Sequence, residues 1–536
     1  MRVNRERLVE KTKGRAMNGL TRRNILAGGA AAALAGTGLS PGARADGKHI
    51  LIVASGQDIP NFDPHVATGY SGSFALRNLY DTLVRVEGDP PKIVPGIAAS
   101  WERSPDGLEF LFHLDPSAKF QDGSPIDAEA VRYSFNRLLR LNKGNVWMVS
   151  GIIDENSTQA VDPKTVKVRL LKPFVPFVDV LWWLFIANPK IAEANKGQDD
   201  GQSFLANKIA GSGAFSLGTV TTGNRYVFER VPNFWREGGG NLSAAIWSIA
   251  REASTQRLQI QRGDAHIALD LQSEDMDALK DAPGVVLVMK PDYRTFQIKM
   301  NTKHGQLTDI NLRKAISYAF NYKGMLDVAG HAVLMQGPLP DGILGFDDKL
   351  NVYRTDIGKA KEYLAKSSAP NGGITLGMNY VSGLEQERRW SLVLLDSLAQ
   401  LNIKLEVKQV LWPELSGSAA SPDKMPDFFP IYETANYADP DNLAWAGYES
   451  QRNGNWSNPV FSDPNVDAVL VAARAETDTQ KRVELYKKFQ ELVVADAPDI
   501  FGVLELRKIA LRDNVKNYVF TPVASNIIDL YPLSLA

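Results

Sequence analysis

The 536-residue chain contains no cysteine, which removes disulfide scaffolds, thiolate metal sites, cysteine nucleophiles and a lipid-modified N-terminal cysteine together. Histidine is scarce. Its six copies (His49, His65, His113, His266, His304, His331) are scattered, and none has the i, i+4 companion that a helical zinc site requires. Neither charge sign dominates, since 60 Lys+Arg meet 61 Asp+Glu, so no basic stripe exists to neutralise a phosphate backbone and nucleic acid is not an expected partner. The apolar stretch Phe174 to Ala187 is short and broken by Pro176 and Asp179, which predicts a buried strand or helix rather than a membrane span. Phosphate-cradling motifs are missing as well. Gly211-Ser212-Gly213 has its next glycine at Gly218 and runs into a strand pattern, so it fails G-x-G-x-x-G, and neither a P-loop nor a nucleophile elbow occurs. Asp439 and Asp441 flank Pro440, which reads as turn chemistry rather than a general acid and base. No catalytic residue, metal or cofactor is therefore expected.

The balanced total conceals an asymmetry. Residues 1–45 hold nine basic and two acidic side chains, a net +7, which leaves the remainder at -8. Arg22 and Arg23 precede an Ala/Gly/Leu-rich run of about 15 residues, below the ~20 that span a bilayer, and an A-x-A site follows, ending at Ala45. This is the order of a cleaved export signal. The arginine pair before a weakly hydrophobic stretch resembles a twin-arginine signal, which implies the twin-arginine translocase as a partner during export and a mature chain starting near Asp46.

Beyond the signal, strand and helix patterns alternate, as in an α/β protein. Strands are predicted at 49–54, 109–114, 166–170, 226–230, 295–300, 374–380 and 404–410. Helices are predicted at 73–84, 127–141, 254–262, 312–322, 356–365, 385–401 and 480–496. Aromatic and amide residues gather where loops meet element ends: Tyr70 and Ser71, Trp412, and the stretch Ile431 to Trp445. In α/β folds such loops line the ligand crevice, and flat rings beside neutral hydrogen-bonding groups suit a polar small molecule.

A series of short motifs then occurs in a telling order: Asp63-Pro64-His65, Leu79-Tyr80-Asp81-Thr82-Leu83, Ser100-Trp101-Glu102, Lys119-Phe120-Gln121-Asp122-Gly123, Gly211-Ser212-Gly213, Val231-Pro232-Asn233-Phe234-Trp235, Met300-Asn301-Thr302, Gly337-Pro338-Leu339-Pro340 and Tyr437 to Asn442. In these the chain resembles the extracellular solute-binding proteins, family 5, of peptide/nickel-type ABC importers. The resemblance implies a two-lobed α/β fold of the large type II periplasmic-binding-protein class. It implies residues 46–298 as a first lobe with an inserted subdomain at about 81–207, residues 299–498 as a second lobe, and residues 499–536 returning to the first. It further implies a periplasmic protein that encloses a peptide or similar polar solute between the lobes and delivers it to an ABC permease with its ATPase subunits. Non-peptide cargo (an opine, an oligosaccharide, or a nickel chelate met by His65 or His331) and an exported hydrolase are the alternatives.

The ligand-binding residues expected from this resemblance and the loop pattern are Tyr70, Ser71, Trp412, Tyr432, Glu433, Thr434 and Asn436. Trp412 matches a stacking tryptophan of the family. Asn436 stands where peptide-binding relatives carry an aspartate for the ligand ammonium, so the ligand is expected either to lack a simple ammonium or to pair it with Glu433.

Overall fold

The computed structural model describes residues 49–536; Arg22, Arg23 and Ala45 lie outside them. Eleven strands form one large sheet. In chain order they are β1 (Ile50–Ser55), β2 (Phe215–Thr221), β3 (Arg225–Arg230), β4 (Ala244–Ile249), β5 (Ile267–Ala268), β6 (Val285–Met300), β7 (Ala332–Leu334), β8 (Thr375–Val381), β9 (Lys404–Val410), β10 (Phe428–Thr434) and β11 (Asp499–Arg512). Their order is β9-β8-β10-β6-β11-β5-β1-β4-β3-β2, with β7 added against β11.

The sheet has two parallel wings. On one side β1 lies parallel between β4 and β5, and on the other β8 lies parallel to β9 and β10. The long strands β6 and β11 run antiparallel between the wings and belong to both. Their pairing breaks between Pro291 and Thr295, where a proline without an N–H ends the ladder, and shifts again between Phe296 and Gln297. The sequence pattern predicted only the C-terminal third of β6 and did not reveal β11.

A separate four-stranded antiparallel sheet (98–103, 109–114, 165–169 and 158–162) and the helix Ala128–Leu141 come from the segment between β1 and β2. Asp127 caps that helix by accepting from the Ala130 N–H. The stretch 174–187 forms no strand. It makes a helical turn at Phe177–Val180, then a 3-10 turn at Leu181–Trp183, and is largely buried.

Two predicted helices differ in extent. The first, α1, covers Gly69–Leu79, so Tyr70 and Ser71 stand in its first turn, while Val84 begins a strand. The predicted helix at 312–322 is two: Ile310–Ala319 ends where Phe320 turns extended, and Asn321 caps Tyr322–Ala329 by accepting from Gly324 N–H.

The motif residues are largely structural. Asp63 and Arg137 are both fully buried and joined by two hydrogen bonds of 2.8 and 2.7 Å, which fix the loop after β1 to the inserted helix. His65 completes this cluster. Its Nδ1 lies 2.9 Å from Arg137 Nη1 and its Nε2 3.1 Å from the Phe185 carbonyl, an arrangement that requires the neutral ring with the proton on Nε2. Burial, helped by Arg137, pulls its pKa down to about 4. Asp439 and Asp441, the suspected turn residues, hold Arg482 and Arg474 respectively, all four largely buried.

Gly211 and Gly213 are spacers. A Cβ on Gly213 would stand 2.4 Å from the Asn78 carbonyl oxygen and 2.7 Å from Tyr80 N, backbone atoms at the end of α1 that cannot step aside. Gly213→Ala is expected to cost about 1–3 kcal/mol in urea unfolding; an unchanged midpoint would show that the two segments separate freely.

Candidate ligand-binding site

Both wings aim the carboxyl ends of their parallel strands at the break in β6 and β11. In the first wing Ala268 pairs with Ala510, on the approach to Glu505, and in the second Thr434 pairs with Arg294. Crevices of α/β sheets form outside such strand ends. In the first wing, Ser55 Oγ and Gly56 N donate to Asp270 at 2.7 and 2.8 Å, which fixes the floor of the crevice on that side.

Arg294 occupies the break itself. Its side chain is 38% exposed, it reaches Glu505 at 3.4 Å, and its guanidinium lies over the Tyr432 ring at 4.2 Å from the centroid. Burial opposes its charge, but Glu505, Tyr70 and Tyr432 together hold its pKa above the ordinary value. Tyr432 is the tyrosine in contact with this cation. Tyr432 is seated by Phe296 (4.9 Å between rings), which lies 3.9 Å from Trp390, and its hydroxyl is 3.4 Å from Gln386 Oε1. Glu387, buried beside this group, accepts from Val381 N at 2.9 Å, and burial raises its pKa to about 7.

Strand alternation separates the remaining expected residues. Tyr432 and Thr434 share a face with Phe296 and Arg294, whereas Glu433 points the other way. There it is 3% exposed, 4.0 Å from Lys299, which also lies 3.5 Å from Asp499. Glu433 is therefore not brought to Arg294 and Tyr432, and it already has a cation.

Asn436 is engaged within the protein: its backbone N–H donates to Asn442 Oδ1 at 2.6 Å and its side-chain Nδ2 to the Thr434 carbonyl at 3.2 Å, while its backbone carbonyl accepts from Trp183 Nε1. Ser71 spends its hydroxyl on the Asp58 carbonyl at 2.7 Å. Trp412 opens the helix Trp412–Ser418 and meets Trp456 edge to face at 6.1 Å, both partly exposed. His65 is sealed in the core, and the ring of His331 is engaged by Asp277 at 3.2 Å. Among the described residues no group of three or more His, Cys, Asp or Glu is arranged to hold a metal ion.

Arg294, Glu505 and Trp456 were not foreseen. The signal for Arg294 was available: in Arg294 to Ile298 the period of two puts the charge in line with Phe296 and Ile298, where an apolar residue would belong.

Glu433 also makes a pH prediction. Burial raises its pKa to about 7, with Lys299 pulling down and Asp499 pushing up. Its native form thus keeps a proton that the unfolded chain has released near the ordinary glutamate value. The stability from this group is complete at pH 4 and is lost as the pH rises to about 7, at roughly 1 kcal/mol per pH unit. Glu433→Gln leaves Lys299 with Asp499 and should raise the urea midpoint at pH 8 while changing little at pH 4.5. Equal gains at both pH values would argue against a proton held by Glu433.

Two α/β wings joined by two shared strands, with a charged crevice at the facing strand ends, define the type II periplasmic-binding-protein fold. The chain belongs to the bacterial extracellular solute-binding proteins, family 5, whose middle-region model matches residues 92–455, and it is a solute-binding component of an ABC importer. It is 29% identical over 510 residues to the probable D,D-dipeptide-binding periplasmic protein DdpA of Escherichia coli, covering 91% of this chain and 94% of that one. It is 26% identical over 467 residues to the glutathione-binding protein GsiB of Pectobacterium atrosepticum, covering 85% and 88%. Among solved structures, HbpA2 from Haemophilus parasuis superposes with a TM-score of 0.82 at 23% identity, over 91% of this chain and all of that one. The periplasmic binding protein DppA from Helicobacter pylori, in complex with a peptide, gives a TM-score of 0.75 at 23% identity, over 91% and 99%. No described helix is long and apolar enough to cross a membrane.

Proposed function

We propose that the protein captures a peptide, or a peptide-sized polar solute, through a carboxylate placed on Arg294, and hands it to an inner-membrane ABC permease. The observation that carries this reading is the partly exposed Arg294 guanidinium at the junction of the two wings, lying over the Tyr432 ring and held by Glu505 only at 3.4 Å. A ligand carboxylate can offer it the bidentate geometry that this long contact lacks. The absence of a carboxylate at position 436 fits a ligand without a free ammonium, or one whose ammonium is met elsewhere. The dipeptide and glutathione named for the relatives DdpA and GsiB are of this size class.

The two lobes would be 46–298, with a subdomain at about 81–207, and 299–498, closed by 499–536, with the register break of β6 and β11 as the hinge. Export through the twin-arginine translocase, guided by Arg22 and Arg23 and followed by cleavage after Ala45, would deliver the folded protein to the periplasm. The reading requires no chemistry on the ligand.

Native mass spectrometry of gently purified protein should show a co-purified solute, and titration calorimetry should then compare short N-acetylated peptides with free and amidated C-termini. Loss of about tenfold or more in affinity on amidation is expected; equal affinity for both forms would refute the assignment of Arg294.

A further inference from the structure

A second cavity, of about 340 Å3, opens at the other end of α1. Tyr70 stands in the first turn of this helix and Arg77 in the last, seven residues or about 10 Å along its axis. The cavity walls come from α1, the strand at 84–87, the buried turn at Trp182, the loop at 236–238 and the C-terminal segment 517–533. None of these residues lies in the Arg294 group.

Three largely buried guanidiniums line it, from Arg77, Arg85 and Arg236. All three lean on a single carboxylate oxygen, Asp529 Oδ2, at 3.5, 3.8 and 3.8 Å, which is too long for direct hydrogen bonds. The other Asp529 oxygen is taken by the Tyr531 N–H at 3.0 Å. Arg85 has Glu87 and the Pro95 carbonyl as further partners, and Arg236 has Asp81 only at 3.8 Å. Glu237 also lines the cavity. Three guanidiniums thus meet three carboxylates in the lining (Glu87, Glu237 and Asp529), with Asp81 a fourth behind Arg236, so what Arg77 and Arg236 lack is close hydrogen-bond partners rather than counter-charge.

Two donors in this wall are orphaned. Arg236 Nη1 is buried without a hydrogen-bond partner, and so is the Nε1–H of Trp182, a residue only 1% exposed. A buried donor left unmade is costly, and each guanidinium brings five N–H groups. The Arg236 side chain is held in place rather than free to seek water, lying 4.9 Å over the Tyr531 ring and 5.5 Å from that of Phe234. The rest of the wall is flat or apolar: Val86, Tyr518, Ile528 and Tyr531.

We propose that this cavity is a second ligand site, for a small organic carboxylate with a flat apolar body. Its oxygens would accept from Arg236, Arg77 and Trp182 Nε1, and its ring would lie among Tyr518, Ile528 and Tyr531. The volume falls within the range of small-molecule pockets. Because the two sites lie at opposite ends of α1, occupancy of one need not block the other.

The test is ligand-observed NMR of the full chain, by fluorine with para-fluorobenzoate and by phosphorus with inorganic phosphate as a second probe. Binding to the native protein is expected to weaken about tenfold or more in Arg236→Gln and in Arg77→Gln, and less in Trp182→Phe, which removes one donor and keeps the ring. Saturation of the crevice with its own solute should leave it unchanged. No line broadening at millimolar probe, binding that survives all three cavity variants, or binding displaced by the crevice solute would each overturn the proposal. Binding of phosphate but not of para-fluorobenzoate would overturn the assignment of an organic body. If Arg236→Gln does not fold, Trp182→Phe and Arg77→Gln decide alone.

Discussion

Asp63→Ala is expected to destabilise the protein by about 3–5 kcal/mol, the largest loss of stability foreseen for any single substitution. Arg137 has no exposure and donates to both oxygens of Asp63, so removing the carboxylate leaves a guanidinium in the core with only the Asp200 carbonyl and His65 for company. His65 offers little relief, since its pKa, drawn down to about 4, keeps it a neutral acceptor of one hydrogen bond at working pH. The partners decide what the number means. If the cost is that of a stranded charge, the double variant Asp63→Leu with Arg137→Met, which removes both charges and keeps the volume apolar, should recover most of the loss. Urea unfolding of the two single variants and the double variant measures this. A double variant as unstable as the sum of the singles would show that the two groups do not couple, and would overturn the reading of the loss as a stranded charge.

Arg294→Gln should weaken binding of the co-purified solute by about a hundredfold. A hydrogen bond to a charged group contributes about 1.5–3 kcal/mol, and each 1.4 kcal/mol is a factor of ten. The urea midpoint of the unliganded protein should hardly move, because Arg294 is already more than a third exposed and its contact with Glu505 is long. That split separates a binding role from a structural one. A comparable loss of affinity in Tyr432→Phe, which keeps the ring under the guanidinium and deletes only the hydroxyl, is not expected. Equal affinity in Arg294→Gln and native protein, measured by calorimetry, would remove Arg294 from the site.

The two substitutions draw on different kinds of information. The Asp63-Pro64-His65 motif was visible as a word of the family, yet its meaning was not, since the partner Arg137 lies 74 positions away on a helix whose apolar stripe gave no sign of a buried charge. The same holds for Asp439 and Asp441. A carboxylate beside a proline has local turn chemistry written into it, and only the arrival of Arg482 and Arg474 turns it into a pair of core ion bridges. Glu433 shows the converse: its charge could be read, but which face of β10 it occupies could not be fixed until the register with β6 was known.

What the residues determined alone was largely local. Alternation, caps such as Asp127 and Asn321, and glycines with no room for a Cβ specify elements and their ends through interactions within a few positions or with a fixed neighbour. The family also followed from sequence, because ordered short motifs spread over most of the chain leave little to chance. Tertiary structure decided which elements are shared: β11, legible from no periodicity because it is buried along much of its length, pairs with β6 and makes the two wings one sheet. It also decided where charge meets the crevice. Arg294 becomes a candidate anchor only because a break in strand pairing opens the sheet at that residue, and Tyr432 and Glu505, on the two strands that flank it, are carried to it. Such placement is a property of long-range packing, which no window of sequence contains.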